Sequence, residues 1–127
     1  MIAMECSCTL TGVDLDPDSF DHLRQESDQV SKQFAGGIAV RGRYKGMPIP
    51  EGSFHLLGSL ERVLDFLEGM GDRDGLNVDY VNVCLLVAHD GQCNFELEPA
   101  LLLRLGKMNV TLGVTCYESD GFGEQNF

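Results

Sequence analysis

The segment from residue 77 to residue 89 constrains the fold more than any other part of the chain. It contains the longest uninterrupted apolar run, Val83 to Ala88, and it is rich in valine and leucine. Such a run is typical of a strand covered on both faces, and it is far shorter than the roughly 20 residues of a membrane-spanning helix. The sequence therefore predicts an interior strand of a sheet.

Three further segments carry shorter strand patterns, two of them with the two-residue alternation of half-buried strands. In residues 4–10 the apolar set is Met4, Cys6, Cys8 and Leu10. In residues 109–117 the inward set is Val110, Leu112, Val114 and Cys116. Residues 53–57 predict a short strand. The cysteines in these apolar sets are expected to be buried thiols, because cysteine on an apolar stripe behaves as a small hydrophobic residue.

Two more strand predictions depend on neighbouring turns. Ile38, Val40 and Tyr44 predict a strand after a glycine turn. The Asp-Gly dipeptide at residues 90–91 is a favoured hairpin turn. It predicts that residues 92–97 fold back and pair with the interior strand.

Three helices are predicted, and two of them begin with an acidic residue followed by proline. Asp16 caps backbone N–H groups that lack a partner, and Pro17 is tolerated at the first helical position. Residues 15–23 align with residues 97–105, where an acid–proline pair again starts a helix. The similarity leaves two interpretations open, a pseudo-twofold of strand–helix–strand halves or two independent helix starts.

The apolar residues of the last two helices follow helical spacing. The second helix begins after Ser59, and its inner face consists of Leu60, Val63, Leu64 and Leu67. The third helix ends at Gly106, and its inner face consists of Leu101, Leu102 and Leu105. Each helix therefore has one apolar side that is predicted to pack on the sheet.

Strands interleaved with three helices indicate the fold class. The chain has 127 residues, the length of one domain, and 43% of them are hydrophobic, which is sufficient for a core. We predict a single α+β domain over residues 1–117, with an antiparallel or mixed sheet and helices packed on one face. A polar C-terminal tail is predicted over residues 118–127.

The order of these elements resembles the bacterial family named domain of unknown function 4279. The matching positions are Leu10, Gly12, Leu15-Asp16-Pro17, Leu97-Glu98-Pro99, Leu105 and the strand from Val110 to Tyr117. The resemblance extends over most of the chain and implies a fold and a bacterial source. Members of that family often contain a tryptophan in the middle segment, which this chain lacks. Every matching position is structural, so the resemblance implies no catalytic residue.

Charge is distributed unevenly along the chain, which holds 20 acidic and 9 basic residues for a net charge of −11. Residues 14–28 contain six acids and one base, residues 29–50 contain four bases and no acid, and residues 51–79 contain seven acids and two bases. So acidic a chain does not bind DNA or RNA by neutralising phosphates, nor an anionic membrane by electrostatic attraction. We therefore expect no nucleic-acid partner and no membrane association.

The two acidic blocks favour a non-catalytic domain that binds a basic protein partner, because complementary charge accelerates association. An immunity or antitoxin protein that neutralises a basic toxin, such as a nuclease, is a protein of this class. The carboxylates predicted to form the interface are Asp14, Asp18, Asp21, Glu61, Asp65, Glu68, Asp72 and Asp74. The same blocks are also explained as solvated helix faces that keep a small protein in solution.

The basic segment between the blocks supports an alternative, a small-ligand or anion-binding regulatory domain with a pocket beside the sheet. The residues predicted to hold the anion are Arg41, Arg43, Tyr44 and Lys45. A third interpretation, an enzyme with a cysteine or histidine in a cleft, lacks a recognised motif. We predict no catalytic residue, no metal and no cofactor.

The N-terminus and the cysteines predict the compartment. The first residues show neither the basic segment nor the apolar stretch of a secretory signal. Five cysteines, an odd number, favour free thiols in a reducing compartment. We therefore expect a cytoplasmic protein that is a monomer or a small homo-oligomer.

Overall fold

The computed structural model describes residues 1–40, 42–43 and 45–119, which form a mixed five-stranded sheet with three helices on one face. The strands are β1 (Ile2–Gly12), β2 (Gln29–Gln33), β3 (Gly52–Gly58), β4 (Tyr80–His89) and β5 (Leu112–Glu118). A 3-10 helix spans Pro17–Leu23, and the α-helices are α1 (Leu60–Met70) and α2 (Pro99–Lys107). The predicted α+β class is confirmed.

The strand order is β2-β3-β1-β4-β5, so β1 lies in the middle of the sheet. It is antiparallel to both of its neighbours, β3 and β4. The two strands that flank β1 therefore run in the same direction, and α1 crosses from one to the other. The strand with the long apolar run, β4, is paired on both sides, which confirms the prediction of an interior strand.

The core lies between the sheet and the helices. The inward side chains of the three middle strands are Cys6, Cys8, Leu10, Phe54, Leu56, Val83, Leu85 and Val87, and all are buried. The Phe54 ring lies 5.2 Å from that of Phe20 in the 3-10 helix and 5.4 Å from that of Phe66 in α1, measured between centroids. This aromatic cluster packs two helices onto the sheet.

The predicted helix caps are present. The Asp18 backbone N–H donates to the Asp16 carboxylate at 3.0 Å, and the Arg62 N–H donates to the Ser59 hydroxyl at 3.1 Å. The first helix is a short 3-10 helix that ends at Leu23. No helix among the described residues has the length and apolar character needed to cross a membrane.

The predicted strand at Ile38, Val40 and Tyr44 is wrong over its described part. Pairing there is limited to one bridge between Ile38 and Pro48, and Val40 is 82% exposed. Gly42 has a φ of +85°, a left-handed conformation that turns the chain away from an extended path. The strand beside β3 is instead β2, and Tyr44 lies outside the described residues.

The predicted hairpin after β4 is also wrong. Residues 92–97 form no strand, and β5 occupies the position beside β4. The two strands are parallel, with Val83 opposite Leu112 and His89 opposite Glu118. A parallel neighbour requires a crossover connection, and α2 provides it.

Some residues predicted to face the core at this edge of the sheet are exposed. Val114 and Cys116 of β5 are exposed, and Leu102 of α2 is 50% exposed, whereas Leu105 is buried. Val114 and Cys116 are exposed because β5 is an edge strand of the sheet. The spacing of apolar residues predicts which side chains share a face, but it does not show whether another element covers that face. β5 includes Glu118, and residues 120–127 of the predicted tail lie outside the described residues.

The two similar sequence segments, residues 15–23 and 97–105, each contain a helix, but the strands that these helices connect are arranged differently in the sheet. In each segment a helix joins two strands of the same direction, β1 to β2 and β4 to β5. However, β3 lies between β1 and β2, whereas β4 and β5 are direct neighbours. The halves therefore differ in strand adjacency, and a duplication stays a prediction.

The first residue of β3 must be glycine because of a close backbone approach. A Cβ atom at Gly52 would lie 2.1 Å from the Leu15 carbonyl oxygen, whereas one at Gly58 would lie 3.5 Å from the Arg62 side chain, an ordinary van der Waals contact. We expect Gly52→Ala to lower the free energy of unfolding by about 1–3 kcal/mol, since overpacking displaces the backbone. Gly58→Ala should change it by less than about 0.5 kcal/mol. Denaturant unfolding measures both, and equal losses would contradict this packing.

Candidate functional site

The face of the sheet that carries no helix is polar around the ends of β1 and β3. Cys8 and Leu10 point to the core, so the alternate residues Thr9 and Thr11 point to the opposite face. Ser53 pairs with Thr11 on one side and with Gln33 on the other. Paired residues project to the same face, so the hydroxyl and amide groups of three strands form one row.

The basic loop (residues 34–51) connects β2 to β3 and faces this polar row. Its two arms are joined by backbone hydrogen bonds from Gly36 N–H to the Ile49 carbonyl at 2.9 Å and from Ile49 N–H to the Gly37 carbonyl at 2.7 Å. Further out, Gly46 N–H donates to the Ala39 carbonyl at 2.8 Å. The described residues of the loop thus form an irregular hairpin held by backbone hydrogen bonds, in place of the predicted strand.

The loop and the sheet enclose a cavity of about 360 Å³. Its lining combines sheet hydroxyl and amide groups, one charge of each sign and apolar loop residues. The lining consists of Thr9, Thr11, Gln33, Ala39, Gly42, Arg43, Ile49, Pro50, Glu51 and Ser53. A guanidinium group donates in a planar fork that matches carboxylate and phosphate oxygens, so Arg43 is suited to bind an anionic group.

Of the four predicted anion-binding residues, the structure describes two, and one of these two lines this cavity. That residue is Arg43, whereas Lys45 is exposed and lies outside the lining. Arg41 and Tyr44 lie outside the described residues. Arg43 makes no ion pair with any described residue.

Two further surface depressions are lined by fewer types of polar and charged side chain than this cavity. One of about 410 Å³ is lined, among the described residues, by the single stretch 93–96. The other, of about 240 Å³, lies over β2 and β3 near His55. Unlike these two, the cavity under the basic loop combines both signs of charge with hydroxyl groups from separate strands, so we take it as the candidate site.

The two buried cysteines, Cys6 and Cys8, are not suited to act as nucleophiles. Cys6 and Cys8 are buried as predicted, and burial raises the pKa of each thiol to about 12. A thiol with so high a pKa is protonated at neutral pH and is a poor nucleophile. Cys116, which was predicted to be buried, is exposed on the edge strand. No group of three His, Cys, Asp or Glu side chains in the described ranges could hold a metal ion.

The eight carboxylates predicted to bind a partner divide into two groups. Four of them form intramolecular ion pairs, namely Asp18, Asp21, Asp65 and Glu68. The Lys32 ammonium lies 2.7 and 2.6 Å from the first two, and its hydrogen bond to Asp21 lowers the pKa of that carboxyl. The Arg104 guanidinium lies 2.6 Å from each of the last two. These pairs join β2 to the 3-10 helix and α2 to α1.

The other four carboxylates make no ion pair with a described residue, and they are Asp14, Glu61, Asp72 and Asp74. All four are exposed. Asp14 and Asp74 lie at the same end of the sheet, because Val13 N–H donates to the Asp79 carboxylate and Asn77 N–H donates to the Asp74 carbonyl. Asp14 and Asp74 thus place two negative charges at this end of the sheet, and neither forms an ion pair with a described residue.

The most buried ion pair was not apparent from the sequence. The Asp28 side chain is 2% exposed and accepts two hydrogen bonds from the Arg62 guanidinium, at 2.8 and 2.9 Å. Arg62 also donates to the Leu23 carbonyl at 2.7 Å. These bonds hold the pKa of the Asp28 carboxyl below its usual value. The two residues are 34 positions apart, so only the fold reveals the pair.

We expect Asp28→Asn to lower the free energy of unfolding at pH 7 by about 2–3 kcal/mol, because a charged hydrogen-bonded pair is broken. The pKa of Asp28 is lower in the folded protein than in the unfolded chain, where it lies near 4. The stabilisation is therefore fully present above the pKa of the unfolded chain, and it is lost as the pH falls through the pKa of the folded protein. The difference from the parent should therefore shrink below about pH 4. Asp14→Asn, at an exposed site, is the control for thermal unfolding between pH 2 and pH 7. A difference that does not vary with pH would contradict the assignment.

Comparison with known proteins adds no further identification. No protein-family model, curated protein or solved structure matches the chain. The resemblance to domain of unknown function 4279 therefore stays a prediction, and the geometry of the cavity and the charged surface carries the functional argument.

Proposed function

We propose that this protein is a small-ligand-binding domain whose site is the cavity under the basic loop. The observation that carries the proposal is the convergence of Arg43 with the hydroxyl groups of Thr9, Thr11 and Ser53 in one cavity. Ligand pockets typically combine apolar walls with a few polar groups that fix the orientation of the ligand. A volume of about 360 Å³ lies within the range of such pockets. Arg43 is the group proposed to bind an anionic part of the ligand.

The proposed activity is binding without catalysis, as in a regulatory domain. The described lining contains neither histidine nor cysteine, the side chains that most often act as bases and nucleophiles at neutral pH. The floor of the cavity lies on paired strands, which are suited to hold binding groups in fixed positions. The five free cysteines support the proposal of a cytoplasmic location.

The proposal predicts that small anions bind at Arg43. In NMR titrations of the labelled protein with inorganic phosphate or 4-methylpentanoate, we expect saturable shifts of the Thr9, Thr11 and Ser53 amide resonances. Arg43→Gln should weaken binding about tenfold, since it removes a charged hydrogen bond. Lys45→Gln is the matched control, because it removes the same charge from the same loop but lies outside the lining. Similar affinities for the parent and both variants would exclude this site.

A second candidate function is the binding of a basic protein partner, as by an immunity or antitoxin protein that neutralises a basic nuclease. It is supported by the four exposed carboxylates that have no ion pair among the described residues. The four paired carboxylates are a weaker part of such an interface, because Lys32 and Arg104 offset their charge. This surface is separate from the lining of the cavity, so the two proposals are tested by different variants.

The second candidate predicts association that depends on salt. With a basic partner purified from the native host, the association rate should fall between about 0.01 and 0.1 M salt, as the Debye length shrinks from about 30 to about 10 Å. Reversing Asp14 and Asp74 to lysine should slow association about tenfold more. The control reverses Glu5 and Glu118, which lie toward the other end of the sheet. Stopped-flow rates that are unaffected by salt, or equal effects of the two double variants, would contradict this function.

A further inference from the structure

The cavity under the basic loop contains two opposite charges that do not form an ion pair with each other. Arg43 and Glu51 both contribute to its lining. Neither side chain takes part in an ion pair with a described residue, although both face the same small space. An anionic ligand alone would satisfy Arg43 but would be repelled by Glu51. A ligand that carries both a negative and a positive group satisfies both.

The two charged side chains are held by different parts of the structure. Glu51 is half-buried and directly precedes Gly52, which is paired with Gly12 of β1 and packed against the Leu15 carbonyl. Arg43 lies in the exposed outer part of the loop, beside the turn at Gly42. The backbone that carries Glu51 is therefore anchored at the start of β3, whereas Arg43 is carried by the outer part of the loop.

The rest of the lining is divided between polar and apolar groups. Hydroxyl groups of Thr9, Thr11 and Ser53 supply hydrogen-bond donors and acceptors beside the charges. On the loop side, Ala39 is buried and Ile49 is half-buried, and Pro50 lies next to them. The cavity thus offers a charged and hydroxyl-bearing part together with a small apolar wall.

We propose that the cavity binds a free α-amino acid with an aliphatic side chain, an inference that rests on the proposed ligand-binding function. The carboxylate of the ligand binds Arg43, and its ammonium group binds Glu51. The threonine and serine hydroxyls bind the remaining polar positions, and the aliphatic side chain contacts Ile49 and Pro50. The net charge of the ligand is zero, as is that of the Arg43–Glu51 pair.

Three probes of matched shape test this inference on the full chain. They are L-leucine, 4-methylpentanoate, which lacks the ammonium group, and 3-methylbutylamine, which lacks the carboxylate. We expect NMR titration to show that L-leucine binds about tenfold more tightly than either analogue, because each charge adds a charged hydrogen bond. This comparison uses only the parent protein, so it does not depend on the folding of a variant.

Two variants then assign each charge. Glu51→Gln should bind L-leucine no more tightly than 4-methylpentanoate, while its affinity for 4-methylpentanoate is equal to that of the parent or higher. Arg43→Gln should lose the preference for L-leucine over 3-methylbutylamine. Lys45→Gln and Glu26→Gln, which change exposed residues outside the lining, should keep all three affinities unchanged.

The outcomes separate this inference from the proposed function. Equal affinities of the parent for L-leucine and 4-methylpentanoate would overturn the amino-acid assignment and support a simple anion site. A failure of all three probes to shift the Thr9, Thr11 and Ser53 resonances would also overturn it. If inorganic phosphate then fails to bind at Arg43 as well, the proposed function falls with it.

Discussion

The alternation of side chains along β1 divides the molecule into its two layers. Cys6, Cys8 and Leu10 project toward the helices and form the middle of the core, while Thr9 and Thr11 project to the other face and line the cavity. A shift of one residue in the register of β1 would exchange these two sets. The stability of the domain and the proposed binding site therefore depend on the same antiparallel pairing in the middle of the sheet.

Five of the described acidic residues form ion pairs within the protein that connect its elements. Asp28 is almost fully buried and paired with Arg62, and two other cations, Lys32 and Arg104, each bridge a pair of surface carboxylates across elements. Surface pairs of this kind contribute little individually, but here they connect β2 to the 3-10 helix and α2 to α1. These paired carboxylates thus stabilise the helical layer, while the cavity lies on the helix-free face.

Several elements follow from short stretches of sequence. The alternation in β1, the caps at Asp16 and Ser59 and the helical spacing in α1 each act over a few residues, and all were predicted. β2 was missed because Val30 is its one strongly apolar residue, which leaves no alternation to detect. The Asp-Gly pair after β4 indicated a hairpin, but the pairing of β5 with β4 made that segment the start of a crossover. Of the cavity residues, Arg43 was predicted from the sequence as part of a binding site.

The sequence by itself determined the core-facing side of β1 from Cys6 to Leu10 and of α1, because periodicity and capping are local properties. Met4, which belongs to the same predicted set in β1, is 47% exposed. Only the tertiary structure decided the strand order, the exposure of β5, the pairing of Asp28 with Arg62 and the cavity. Each of these depends on which distant segments meet. Thr9 and Glu51 line one space because β1 and β3 pair and the basic loop folds back over them, and no periodicity within a single segment encodes such a contact.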